Sequence, residues 1–239
     1  LRTVDFEQQL IVRNPDICIY DLVLNNQEEV DLLGAIGCPT IKGDLTIMGG
    51  AVVDLSPLSN IDSIYGTLTI EDLPNITSGL GLSSLEFIGG DFIVRNTTLN
   101  NSIPLSSLNY VGGGLVIEDN PQITSLTFLQ NLSYLDYVIL HDCPLNNLKG
   151  LDQLDTIAFS LDISYINFTE NTPTFNLKYL GSNLTLENLQ LDNLNFLENL
   201  NYIGHNLRIH NIGGLEQLNN FNNLVRVDNN MTINNNDDL

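Results

Sequence analysis

Apolar positions along this chain recur with a long period, about 23 residues, rather than with the short period of one helix or strand. The triplet Leu45-Thr46-Ile47 returns as Leu68-Thr69-Ile70, Phe92-Ile93-Val94, Leu115-Val116-Ile117, Val138-Ile139-Leu140 and Leu161-Asp162-Ile163. It continues as Leu184-Thr185-Leu186, Leu207-Arg208-Ile209 and Met231-Thr232-Ile233, and Leu22-Val23-Leu24 opens the series. Each triplet alternates, so it reads as a short strand with its two outer side chains turned inward and the middle one turned out. Six residues before the triplet's end stands another apolar residue: Ile41, Ile64, Ile88, Val111, Ile157, Leu180, Ile203 or Val227. Gly43, Gly66, Gly90 and Gly113 fall between the two positions in the first four full repeats, where glycine permits a tight or positive-φ turn. Two residues after the triplet, Asp72, Asn96, Asp119, Asp142, Asn188, Asn211 and Asn235 predict a second turn.

The return path has a spacing of three, as in Leu55, Leu58, Ile61, Ile64 and in Leu148, Leu151, Leu154, Ile157. Leu194, Leu197, Leu200 and Ile203 repeat it. That spacing suits 3₁₀ or extended chain better than α-helix. One such repeat cannot bury its own apolar side. Stacking repeats at ~4.8 Å pairs the strands in parallel and closes a core. The pattern predicts a mainly β solenoid of nine ~23-residue rungs over 40–239, one domain over 1–239, with no linker. The rung from Ser164 to Leu180 lacks the full leucine spacing and is expected to bulge.

A solenoid end exposes core and strand edges and needs a cap. Residues 16–39 are expected to supply it. Asn25 or Asn26 suits a helix N-cap, Glu28 and Glu29 a first turn, Val30, Leu32, Leu33 and Ile36 an apolar face, and Gly37 the stop. Cys18 precedes this helix and Cys38 follows it. Their separation suits a disulfide clamping the helix to the first rung, worth about 3 kcal/mol in an oxidising compartment. Two buried free thiols are the alternative.

Cys18, a short strand, a helix and then Cys38-Pro39-Thr40-Ile41-Lys42-Gly43-Asp44-Leu45-Thr46-Ile47 resemble the opening of a receptor L domain. The phrases Asp54-Leu55-Ser56-Pro57-Leu58-Ser59-Asn60-Ile61 and Ile64-Tyr65-Gly66-Thr67-Leu68-Thr69-Ile70 are most similar to secreted bacterial members. The resemblance covers about residues 16–239. It implies a right-handed β-helix related to leucine-rich repeats, extracellular or cell-surface location, roles in recognition and attachment, and no catalytic residue. The chain has more rungs than one receptor L domain and lacks cysteine-rich modules, so growth-factor binding does not carry over.

Composition narrows the partners. Eight Lys and Arg stand against 29 Asp and Glu, a net charge of −21. Nucleic acid needs a basic stripe, so it is not an expected partner. No stretch approaches a membrane span, so direct insertion is not expected within this chain. Leu1 opens no signal peptide, and the chain reads as a mature or trimmed segment.

The outward strand column is the candidate site. It reads Thr46, Thr69, Ile93, Val116, Ile139, Asp162, Thr185, Arg208 and Thr232. Ile93, Val116 and Ile139 form an apolar strip, with Tyr137, Arg95, Glu118 and His141 around it. An apolar strip rimmed by charge is suited to an extracellular protein or glycan partner. The alternative is that β-branched residues simply suit strands. The Asp/Asn column is expected to make turns rather than to hold Ca²⁺, since single residues seldom deliver six oxygens. His141, His205 and His210, the only histidines, lack metalloprotease spacing, and no nucleophile elbow or phosphate loop occurs. Cys143 falls in the column of Asn120, as a turn or core thiol. Sequons stand at Asn75, Asn96, Asn100, Asn131, Asn167, Asn183 and Asn230. No cofactor and no catalytic residue are expected. The reading is a non-catalytic binding or adhesion module, with a polysaccharide-acting enzyme or a structural spacer as alternatives.

Overall fold

A computed structural model describes residues 17–101, 103–170 and 175–239. The described chain is mainly β, with one α-helix and three parallel sheets. Ten strands, from Leu22–Asn26 to Met231–Asn234, carry the triplets and pair strictly in sequence order. The register runs Leu22, Leu45, Leu68, Phe92, Leu115, Val138, Leu161, Leu184, Leu207, Met231. Sequence period and sheet register are therefore the same quantity, giving a solenoid-like stack. Leu45, Ile47, Leu68, Ile70, Leu184 and Leu186 are fully buried in one contiguous core, as the alternation predicts.

Two-residue strands one corner upstream form the other two sheets, of five strands each. One runs from Ile17–Cys18 to Tyr110–Val111, the other from Tyr134–Leu135 to Arg226–Val227. The interruption has a local cause. Val111 is followed by three glycines before Leu115, but Leu135 only by Asp136 and Tyr137 before Val138. Leu135, not the residue six before Leu140, thus takes the buried ladder position. The Tyr137 ring fills the space over Gly114, where any Cβ would collide with it.

The corner glycines act by close approach. Gly43, Gly66, Gly90 and Gly113 are not among the described residues with positive φ. A Cβ on Gly66 would fall 2.7 Å from the Gly43 backbone and on the Asp44 carboxylate, and Gly113 meets Gly90 and Asp91 in the same way. The carboxylates are there because each accepts a backbone N–H of the next repeat: Thr67 N to Asp44 Oδ1 at 2.8 Å, Gly114 N to Asp91 Oδ1 at 2.7 Å. Positive φ is concentrated at the second corner instead. Asp72, Asn96, Asp119, Asp142, Asn188, Asn211 and Asn235 all lie at φ 47–57°, the left-handed region Asn and Asp tolerate best. Tyr165 holds the same place at φ 59°.

The residue after each of these corners except the last points into the core, while Asn236, after Asn235, is half-buried. Leu73, Ile166, Leu189 and Ile212 fill that column, but Thr97, Asn120 and Cys143 stand in three successive repeats. Asn120 is satisfied there: its amide donates to Val94 O (2.9 Å) and Glu118 O (2.7 Å), and its carbonyl accepts from the Thr97 hydroxyl (2.7 Å). An amide buried with its partners costs little, whereas one left unpaired would cost about 1–3 kcal/mol.

Five return segments carry 3₁₀ turns, at Ser56–Leu58, Leu80–Leu82, Thr127–Leu129, Asn195–Leu197 and Asn219–Phe221, while the one over 148–155 has turns without a 3₁₀ helix, within the 3₁₀ or extended range that a spacing of three allows. In the rung expected to bulge, Phe175, Leu177 and Leu180 are fully buried, while residues 172–174 lie outside the described residues. Helix α1 spans Gln27–Ile36. Asn26 caps it, accepting from Glu29 N at 3.1 Å, and Glu29 reaches back to Asn25 N at 2.6 Å. Val30 and Leu33 are buried, and Gly37 ends the helix at φ 75°. Leu32 is only half-buried. Cys18 and Cys38 form the disulfide, with Cα atoms 5.9 Å apart.

Candidate functional site

Parallel pairing sets Ile93, Val116 and Ile139 side by side, with Arg95, Glu118 and His141 beside them two residues on. The strip points outward but is not uniformly exposed. Val116 is 2% accessible although it lies outside the contiguous core. It was expected to face solvent. The larger Ile93 and Ile139 on either side, ~4.8 Å away by strand spacing, cover it. Ile93 and Ile139 themselves are half-buried.

Arg95 Nε and Glu118 Oε2 pair at 2.8 Å across one strand step, and Arg208 binds both Glu187 oxygens at 3.1 and 3.2 Å. The Arg208 bonds hold the Glu187 carboxyl below its ordinary range. Tyr137 does not sit in the strip. It occupies the corner, half-buried over Gly114, and burial together with a hydrogen bond to Asp91 pushes its phenol up to about 12.

Asp162 and Ser164 join His141 in a group the sequence reading had not assembled. The Ser164 hydroxyl lies 3.1 Å from Asp162 Oδ1, to which it donates, and 3.1 Å from His141 Nδ1. Serine stands in the middle of this chain. Burial raises the Asp162 carboxyl above its usual range, against the Ser164 bond and His141. The Tyr165 ring packs on the far side, 4.9 Å from His141, and is 55% exposed.

A second surface is made by the short sheets. From the fourth strand of the first sheet onward their first residues read Phe87 and Tyr110, paired in register, and then, across the break between the sheets, Tyr134, Thr156, Tyr179 and Tyr202, paired in register. Phe87 and Tyr110 stack at 4.9 Å and 3°, Tyr179 and Tyr202 at 4.9 Å and 11°. Tyr65 leans on Phe87 at 5.2 Å, and the Lys42 ammonium sits 3.2 Å over the Tyr65 ring centre. The Tyr134 hydroxyl donates to Asp136 (2.8 Å) and that of Tyr202 to Asp228 (2.5 Å), so both phenols titrate above their usual range. The sequence signal was an aromatic two residues before a glycine: Phe87 and Gly89, Tyr110 and Gly112, Tyr179 and Gly181, Tyr202 and Gly204. The glycine is required by the preceding repeat's backbone: a Cβ on Gly112 or Gly181 would fall 2.3 Å from Gly89 O or 1.8 Å from Ala158 O.

The remaining candidates are accounted for locally. The Asp and Asn column forms left-handed corners, linked in places by side chains, as in Asn96 to Asp72 at 2.7 Å. Among the described residues no group of three or more His, Cys, Asp or Glu is placed to hold a metal ion. His205 contacts Asn183 and His210 contacts Asn234, both by Nδ1. Cys143 is a core thiol, and burial pushes it up to about 11, so it is a poor nucleophile at neutral pH. Asn75, Asn96 and Asn131 are exposed but already hydrogen-bonded, to Gly50, Asp72 and Ser106. No described helix is long and apolar enough to cross a membrane. No family model, curated protein or solved structure matches the chain.

Proposed function

We propose that this chain is a non-catalytic extracellular binding or adhesion module, a right-handed β-helix of leucine-rich-repeat-like rungs of the receptor L-domain type. It recognises a protein or glycan through the outer face of its long sheet. The observation that carries the reading is the unbroken register of ten parallel strands, which lays the outward side chains of every repeat on one continuous surface. The half-buried Ile93 and Ile139, with the Arg95–Glu118 pair beside them, give that surface an apolar centre and a charged rim. The disulfide between Cys18 and Cys38 supports an oxidising compartment.

The test is retention of the protein on a glycan array and on a panel of immobilised extracellular proteins, beside an Ile93→Asp/Ile139→Asp variant whose folding is checked by circular dichroism. We expect at least one ligand retained by the parent and lost by the variant. Equal retention by both removes this face as the binding surface. Release of reducing sugar from acidic or neutral glycans would overturn the non-catalytic part.

A further inference from the structure

The ring column on the second short sheet, Tyr134, Thr156, Tyr179 and Tyr202, has one internal gap. Thr156 pairs in register with Tyr134 on one side and Tyr179 on the other, so a small hydroxyl side chain stands where the adjoining repeats carry rings. Tyr134 and Tyr179 are 43% and 45% exposed, and Thr156 between them is half-buried. Two strand steps separate the rings by roughly 9.6 Å. A flat group above Thr156 would lie about 4.8 Å from each ring, inside the ~6 Å reach of a cation over an aromatic face. Tyr179 stacks on Tyr202 with its other face, so the face toward Thr156 belongs to the gap.

We propose that this gap is a binding slot for an arginine side chain presented by a basic protein partner. Three observations choose a cation. The chain already caps the first ring group this way, since Tyr65, two residues past the column position, leans on Phe87 and carries the Lys42 ammonium 3.2 Å over its ring. At the other end Arg226 is the in-register neighbour of Tyr202 and pairs with Asp228. The chain's own cations thus stand beside the outermost rings, and among the described residues no cation–ring contact falls on Tyr134 or Tyr179. Carboxylates also border the slot: Asp136 takes the Tyr134 hydroxyl, and Asp155 precedes Thr156. With Lys178 next to Tyr179 the immediate surroundings still carry one net negative charge, on a chain of −21. Arginine fits better than lysine because its planar guanidinium offers both faces to two rings while its edge N–H groups reach the carboxylates. This surface is separate from the long-sheet face.

The probe is acetyl-Gly-Arg-Gly-amide, titrated at low salt and followed by the aromatic NMR resonances of Tyr134 and Tyr179. The citrulline peptide, which keeps the shape and loses the charge, and a set of neutral oligosaccharides are the comparisons. We expect the arginine peptide to shift both tyrosines and the citrulline peptide to bind at least tenfold more weakly. Thr156→Tyr completes the ring column, leaves folding intact and should weaken arginine binding at least tenfold. Tyr179→Ala should do the same by removing one wall. Arginine binding by Thr156→Tyr as strong as the parent's overturns the proposal. So does a slot that takes a neutral sugar in preference to arginine, which would make it a glycan site.

Discussion

The two outward faces of this molecule are built by one repeat and end in different conditions. On the long sheet, outward side chains cover one another: Ile93 and Ile139 hide Val116, and Arg95 and Arg208 tie down Glu118 and Glu187. On the short sheets, rings stack along the column but keep their edges in water, with Tyr65, Tyr110, Tyr134 and Tyr179 each 43–51% exposed. The difference follows from strand length. A strand of four to seven residues carries two outward columns that shield each other, while a two-residue strand carries one, flanked by small corner residues. Self-covering makes a face stable and smooth. A single column keeps any irregularity, such as the gap at Thr156, open to a ligand.

Experiments that break or sharpen this contrast can be ranked by size. The largest effect lies beneath the faces, in the shared core. Leu115→Ala or Leu184→Ala should lose about 2–5 kcal/mol in urea unfolding, and the outward Thr69→Ala only a few tenths. Similar losses for both classes would reverse the inward and outward assignment. Removing the disulfide as Cys18→Ser/Cys38→Ser should cost about 3 kcal/mol at the end where both faces begin. An unchanged denaturation midpoint would show that the helix cap holds without it.

Next comes the long-sheet face itself. Val116→Asp places a carboxylate under two isoleucines and should cost roughly 1–3 kcal/mol more than Ile93→Asp. Equal costs would mean that the isoleucines do not shield it. On the other face the sign is opposite: Thr156→Tyr adds a ring to an existing stack and should gain about 0.5–1.5 kcal/mol. A destabilised variant would show that the gap is closed.

The smallest effect is a pH dependence. Burial raises the Asp162 pKa in the folded chain above its unfolded value, so the native state binds this proton more tightly. Its ionised form therefore opposes folding above the raised pKa, and the penalty fades as pH falls toward the unfolded value. Asp162→Asn should exceed the parent in stability at pH 7, with the difference shrinking toward pH 3. Glu187, held down by Arg208, contributes in the opposite direction: its stabilisation is present at neutral pH and is lost as pH falls through its lowered pKa. A stability difference between Asp162→Asn and parent that is flat with pH would contradict the assignment.

Much of the architecture was legible because one period controls it. The 23-residue spacing named the long strands and the Asp and Asn corners, the spacing of three the 3₁₀ or extended returns, and the capping residues the helix and its stop at Gly37. It could not see shielding. Val116 and Ile139 look alike as letters, and only the neighbours' sizes separate the covered residue from the half-covered one. Tyr137 looked like a rim residue because it lies two positions before Ile139, yet one residue fewer at its corner turns the ring onto Gly114. The aromatic column was missed because each tyrosine or phenylalanine adjoins an apolar ladder residue and reads as part of it. Its marker was the glycine two positions later.

Alternation and spacing by themselves determined which side chains point inward and which repeats are neighbours, because parallel stacking converts a sequence period directly into a sheet register. Which outward side chains meet water was decided only in three dimensions. That depends on the residues one repeat away, ~4.8 Å in space but 23 or 24 positions along the chain, so the same letter can be sealed in one repeat and open in the next.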